Sequence, residues 1–188
     1  GYGVDFSASR MVSEQNVNVR LFNPYWTDSG VSQDFSIYYD RQIPYKNNIT
    51  AYRQEGVGAQ LKYGIPITQD DQLTVGVGVK HIDVSLGDSP AASIVSFINT
   101  YGSNFNEVTT TLGASHDTLD ALIFPHQGTS MSVNAQVGLP MSRTLRFYTL
   151  TGKVNWFHPL TAAQDWLVHL NLGGAYGRGY GRFGAQLP

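Results

Sequence analysis

Apolar and polar positions alternate with a period of two along nearly the whole chain, and no stretch carries a convincing helical period. The clearest run is Met131-Ser132-Val133-Asn134-Ala135-Gln136-Val137-Gly138-Leu139, apolar at every odd position and polar or glycine at every even one. Leu73, Val75, Val77 and Val79 repeat this against Thr74, Gly76, Gly78 and Lys80. Val57, Ala59, Leu61, Tyr63 and Ile65 oppose Gly58, Gln60, Lys62 and Gly64, and Val168, Leu170, Leu172 and Tyr176 oppose His169, Asn171, Gly173 and Gly177. The pattern predicts about nine strands, near 1–13, 15–27, 31–44, 51–67, 71–86, 105–119, 128–140, 145–158 and 165–179. Many are ten residues or longer, whereas strands of water-soluble domains cluster at about five or six. About ten tilted residues are what a strand needs to cross the hydrocarbon of a bilayer.

The connections alternate too. Thr27-Asp28-Ser29-Gly30, Thr68-Gln69-Asp70-Asp71, the stretch 120–128 and Thr161-Ala162-Ala163-Gln164 fall at every second connection, the first two rich in turn formers. Those between them vary more: 44–50 contains Pro44 and Asn47-Asn48, 87–104 is about eighteen residues long, and the tail after Gly177 is rich in glycine and arginine. Short turns on one side and longer loops on the other fit an up-and-down outer-membrane barrel. The short connections near 13–15 and 140–144 do not follow that rule. Tyr25-Trp26, Tyr63, Phe124, Trp156-Phe157 and Trp166 lie near the short-turn ends, as an interfacial aromatic girdle would.

Composition narrows the choice. Charged residues make up 14% of the 188, well below the roughly 25% of a typical soluble domain. The face opposite the apolar positions carries Gly, Ser, Thr, Asn and Gln with Asp5, Arg20, Asp34, Lys62, Lys80 and Lys153. A solvated exterior would show more Lys and Glu. A soluble sandwich or ligand-binding barrel stays open, because alternation alone does not say which face is wet. A mean hydropathy of -0.19 and the lack of a long apolar run exclude a membrane-spanning helix but not a barrel. A net charge of -2 with scattered Lys and Arg argues against nucleic acid, and the absence of cysteine excludes thiolate metal sites and disulfides.

No catalytic, metal or cofactor residue is expected. A G-x-S-x-G elbow is absent. Gly56-Val-Gly58 and Gly76-Val-Gly78 lack the third glycine and following helix of a dinucleotide fingerprint, and read as small residues on the polar face. His81, His116, His126, His158 and His169 have no metal-ligand spacing. Asp70-Asp71 is explained by a solvated turn. Arg178 and Arg182 in the Gly-rich end are weak grounds for a phosphate or RNA site.

Asn23-Pro24-Tyr25-Trp26-Thr27-Asp28-Ser29-Gly30-Val31-Ser32 resembles the NPYFT-x-DGVS turn of the BamA family of outer-membrane β-barrel assembly proteins, departing at Trp26 and Ser29. Tyr63-Gly64-Ile65-Pro66-Ile67 is similar to the family's G-F-P-I strand end, and Gln72 through Gly78 to the strand that follows. Asp117-Thr118-Leu119-Asp120 with Phe124-Pro125 and Gly128 resembles N-x-L-D…F-P-x-x-G. Gly181-Arg182-Phe183-Gly184 and Leu187-Pro188 resemble the start of the family's sixth extracellular loop.

The resemblance implies an all-β, antiparallel up-and-down transmembrane barrel segment, about nine strands of sixteen. Residues 1–188 would be a partial outer-membrane barrel domain, without the family's periplasmic POTRA domains and terminal gate strands. It implies a part in folding and inserting β-barrel proteins, with outer-membrane lipids and unfolded barrel clients as partners and assembly-machine lipoproteins reached through the POTRA domains. A porin-type channel or a two-partner-secretion transporter barrel is the alternative. In this reading Val75, Val77, Val133, Val137 and Leu170 face lipid. Lys62, Lys80, Asn134, Gln136 and Asn171 face the lumen.

Overall fold

The computed structural model describes all residues except Gly1, Val12, Pro44, Asn47, Asn48, Ala51, Asp88, Leu122, Ser142, Arg143, 162–165 and 181–188. The strands are β1 (Gly3–Arg10), β2 (Glu14–Asn23), β3 (Ser32–Gln42), β4 (Tyr45–Lys46), β5 (Ile49–Thr50), β6 (Tyr52–Pro66) and β7 (Asp71–Leu86). After helix α1 (Ala92–Tyr101) come β8 (Asn104–Asp117), β9 (Gly128–Gly138), β10 (Phe147–Pro159) and β11 (Leu167–Gly179). Nine of them form one antiparallel sheet in the order β1-β2-β3-β6-β7-β8-β9-β10-β11, while β4 and β5 make a two-residue ladder inside one connection. Each strand of the sheet pairs with the next in sequence, which is the expected meander. Among the described residues β1 and β11 are paired on one side only, so the sheet is open.

Register decides which residues share a face, because partners across an antiparallel ladder point the same way and neighbours along a strand point oppositely. Asp34, Lys62, Gly76, Thr111 and Gln136 stand in one lateral row. Tyr39, Val57 and His81 stand in a row on the other face. The two faces differ in crowding. Ser36, Gly56, Gly58, Gly76, Thr109 and Gly113 are buried on the polar face, whereas Val77 is 58% and Leu112 59% exposed on the apolar one. Side chains converge on one side and splay on the other, so the sheet curves around its polar face.

Two expectations are corrected. No helical period is expected anywhere, yet connection 87–104 contains α1, which ends at Gly102 (φ +90) with the Gly102 N–H donated to Ile98 O at 2.8 Å. Ten residues with Ile94 and Ile98 as the inward pair offer too few turns for a helical period to stand out. The alternation also does not keep one phase. Ile82 and Val84 lie on the polar face and pack with Phe105 and Leu145, with Tyr52, Ile98 and Phe147 around them. This small core sits at the long-loop end. Connection 139–146 folds back over the same end, where Leu139 and Leu145 donate backbone hydrogen bonds to Val108 and Asn106 of β8.

Candidate functional site

The polar face carries ion pairs where strands meet. Arg20 on β2 donates Nε to Asp34 Oδ2 of β3 at 2.8 Å and lies over the Phe22 ring, 5.0 Å from its centroid. Lys80 Nζ on β7 reaches Asp40 Oδ1 at 2.8 Å and stands 5.9 Å from the Tyr38 ring centroid. Glycines make room for these long side chains. A Cβ on Gly58 would sit 2.6 Å from Tyr38 Cζ, and one on Gly76 2.7 Å from Lys62 Cγ. The small residues read from the sequence as lining are the floor on which Lys62, Tyr38 and Lys80 lie.

Lys62, Lys80, Asn134, Gln136 and Asn171 all stand on this face, and Val75, Val77, Val133, Val137 and Leu170 all stand on the other. Trp156 follows the second group, but Phe157 does not: it stacks on His169 of the polar face at 4.1 Å and so leaves the expected girdle. The Gly-Arg tail from Gly181, Asp88, and the middle of the 161–164 turn lie outside the described residues.

On the apolar face, polar pairs bracket the aliphatic rows. Asp71 Oδ1 meets His116 Nδ1 at 2.7 Å, and ten residues further along β7 His81 Nδ1 meets Asn106 Oδ1 at 2.7 Å. Arg41 and Glu55 form an ion pair at 3.3 Å at the same long-loop end. Between the brackets β7 presents Leu73, Val75, Val77 and Val79.

The short-turn end is closed by side-chain hydrogen bonds that account for the motif residues. Asn23 is buried and its Oδ1 accepts the Tyr25 N–H at 3.0 Å, an Asx turn that leads into Pro24-Tyr25. Thr27 Oγ1 accepts the Val31 N–H at 3.2 Å, Gly30 donates to Thr27 O at 3.0 Å, and Gly30 adopts φ +83, where a side chain would be strained. Trp26 closes the turn through its N–H to Val31 O at 2.8 Å, while its ring and that of Tyr25 are exposed. Thr27 and Ser29 share a hydroxyl hydrogen bond, so the departure at Ser29 is accommodated locally. Asp28 is exposed.

The 118–127 connection is built around Asp120. Its Oδ1 accepts the N–H groups of His126 and Gln127 at 2.9 and 3.2 Å, and these bonds, the Gln127 bond foremost, hold its carboxyl below the usual carboxylate range. Gly128 (φ +111) ends the connection, and a Cβ there would collide with the backbone of Thr118. No cluster of three or more His, Asp or Glu able to hold a metal occurs among the described residues.

The geometry defines a class: an open, nine-stranded antiparallel meander curved around its polar face, the form of a segment of a β-barrel. The whole chain, residues 1–188, matches the Omp85 superfamily domain, and the chain belongs to that superfamily of outer-membrane barrels. It is 28% identical over 190 residues to the outer membrane protein assembly factor BamA of Neisseria meningitidis serogroup B, covering 95% of this chain and 24% of that protein. Its fold matches the crystal structure of BamA from Haemophilus ducreyi lacking POTRA domains 1–3, with a TM-score of 0.81 at 21% identity, over 96% of this chain and 36% of that one. The chain thus spans about a quarter of the length of the curated relative it matches.

The residues that sequence reasoning missed are Ile82, Val84, Phe105 and Leu145. A signal existed: on β7 the apolar phase moves from odd positions up to Val79 to even positions from Ile82.

Proposed function

We propose that the chain is part of the barrel wall of an outer-membrane protein assembly factor, which folds and inserts other β-barrel proteins and is not an enzyme. The observation that carries the membrane half of this reading is the spacing of the two polar brackets. Ten residues at about 3.3 Å each span about 33 Å along the strand. A strand tilt of about 40° turns this into a height of about 25 Å, the apolar band of an outer-membrane barrel. Val75, Val77, Val133, Val137 and Leu170 then contact lipid, and Lys62, Lys80, Asn134, Gln136 and Asn171 line the lumen. The turns at 24–31 and 118–127 lie on the periplasmic rim and α1 on the external one.

The assembly half rests on the likeness to the Neisseria factor and on the residue-by-residue account of the Asn23–Gly30 turn. Residues 1–188 form a partial barrel domain, unfolded outer-membrane proteins are the clients, and partner lipoproteins are engaged by parts of the protein outside these strands. This wall contributes a fixed lumen lining and a lipid face. The test is to express the full-length protein in cells depleted of their own assembly barrel and to follow folded outer-membrane proteins by heat-modifiable gel mobility. Restored folding is expected. A protein that inserts and conducts solutes but restores no folding would replace this reading with a channel.

A further inference from the structure

We propose that a trough on the apolar face, a cavity of about 870 Å³ crossing β7 to β11, holds an acyl chain of one phosphatidylethanolamine of the periplasmic leaflet, with the headgroup beside Asp70, Asp71 and His116. It rests on the reading of this face as the lipid side of a barrel.

Register builds the trough. Ala114, Gly152 and Gly174 share one lateral row with Leu73 and Val133 and make its floor. Met131, Val154 and Leu172, one row nearer the short turns, form a bank, and Leu150 and Tyr176 stand in the row on the other side. Among the described residues Gly152 and Gly174 are the only strand glycines of the apolar face, and they are cross-strand partners. Neither has a positive φ. A Cβ on Gly152 would meet nothing nearer than 3.9 Å, and one on Gly174 nothing within 4 Å, in contrast to Gly56, Gly58 and Gly76 of the polar face. Neither backbone nor packing therefore calls for glycine here, although glycine weakens a strand interior. What the two residues provide is open space.

The stagger of the strands aims that space. Counted from the short-turn end, Leu73 is the third residue of β7 and Gly174 the eighth of β11. Five residues at about 3.3 Å, tilted by about 40°, rise about 13 Å, which fits within the roughly 15 Å of one hydrocarbon leaflet. The trough thus leaves the short-turn rim at Asp71 and His116 and climbs toward the midplane. That is the course of an acyl chain whose headgroup lies at the rim.

The mouth selects the headgroup. Connections 24–31, 67–71, 117–128 and 160–166 carry Asp28, Asp70, Asp71, Asp117 and Asp120 but no lysine or arginine. An anionic lipid would bring its phosphate to carboxylates with no cation between them. Phosphatidylethanolamine places an ammonium with three N–H donors beyond its phosphate. Asp70 is exposed beside the trough. The Asp71 carboxylate accepts the proton of His116 Nδ1 at 2.7 Å, which leaves Nε2 of the neutral ring as a further acceptor. A choline headgroup has no N–H to give to these groups.

The test places the full-length protein in phosphatidylcholine vesicles containing a small, equal fraction of phosphatidylethanolamine or phosphatidylglycerol, each with a diazirine on its acyl chain. Labelled residues are mapped by mass spectrometry, with Val19 and Leu21 on the apolar face of β2 as the reference. Labelling of Ala114, Val133 and Leu172 by the ethanolamine probe is expected to exceed the reference. It should also exceed labelling by the glycerol probe about fivefold, the weight of one charge near a membrane surface. Gly152→Leu combined with Gly174→Leu fills the trough and should bring its labelling down to the reference, with the barrel still heat-modifiable on gels. Asp70→Lys, on an exposed turn, should abolish the preference between the probes. Trough labelling no higher than the reference, or an excess that survives the leucine pair, would overturn the seat. Equal labelling by the two probes, stronger labelling by the anionic one, or a preference that survives Asp70→Lys would overturn the headgroup assignment. Labelling absent from the trough and from β2 alike would overturn the membrane reading itself, whereas a labelled β2 without excess in the trough would overturn the seat alone.

Discussion

Single glycines on the polar face are set by their neighbours' side chains rather than by their own backbone. Gly58 has Tyr38 where its Cβ would be, with Val79 O also 2.8 Å away, whereas on the apolar face a Cβ on Gly152, the cross-strand partner of Val133, would find its nearest atom, Ser132 O, at 3.9 Å. Gly58→Ala should therefore cost about 1–3 kcal/mol through forced displacement of the ring. Gly152→Ala should be neutral or raise stability by up to about 1 kcal/mol through the unfolded chain. Urea unfolding of the full-length barrel in detergent would compare them; equal losses would refute the seating argument. Asp120 makes a pH prediction at the same scale. Its carboxyl is held below the usual range when folded, chiefly by the Gln127 N–H. Its contribution is present above the unfolded carboxylate pKa of about 3.9 and is lost as pH falls through the lower folded value. Protection of the His126 and Gln127 amides against hydrogen exchange should fall over that window, and Asp120→Asn should flatten the dependence.

Strands, the next scale, obey two different rules along their own length. Val133 and Gln136 lie on one strand, β9, and on opposite faces. Val133→Arg should cost about 2–4 kcal/mol if it sits near the midplane, and Gln136→Arg much less. Refolding titrations into lipid vesicles would measure both, and similar costs would undo the lipid assignment. Beyond Lys80 the rule inverts, since the exterior positions of β7 become His81, Asp83 and Ser85 while Ile82 and Val84 turn to the core under α1. Ile82→Ala should cost about 2–4 kcal/mol by leaving a cavity, and His81→Ala no more than about 0.5 kcal/mol; the same titrations check this pair. Strand number, pairing order and faces were legible in the sequence because alternation is local and a meander needs only neighbours. The core at the loop end was less legible. It is assembled from Ile82, Phe105 and Leu145, which belong to separate elements and meet only once α1 and the 139–146 connection fold over the sheet.

At the scale of the molecule the open edges decide what these strands can do alone. Edge strands β1 and β11 have eight and thirteen residues, and in an antiparallel strand alternate residues direct their N–H and C=O away from the partner. That leaves about four and about six N–H groups without ladder partners, each costing several kcal/mol in hydrocarbon. The sum is tens of kcal/mol, well above the roughly 5–15 kcal/mol that holds a native protein together. Closing the nine strands on themselves is no remedy, because bacterial single-chain barrels close with an even number of antiparallel strands. The sheet must therefore pair with further strands of its own protein, or with another copy, or aggregate. In cells depleted of their own assembly barrel, residues 1–188 expressed alone are expected to restore no folding of outer-membrane proteins and to be recovered as protease-sensitive aggregate. The longer chain with its flanking strands is expected to migrate as a heat-modifiable barrel and restore folding. Rescue by the 188 residues alone would show that the edges are satisfied within this segment, and would overturn its assignment as one wall of a larger barrel.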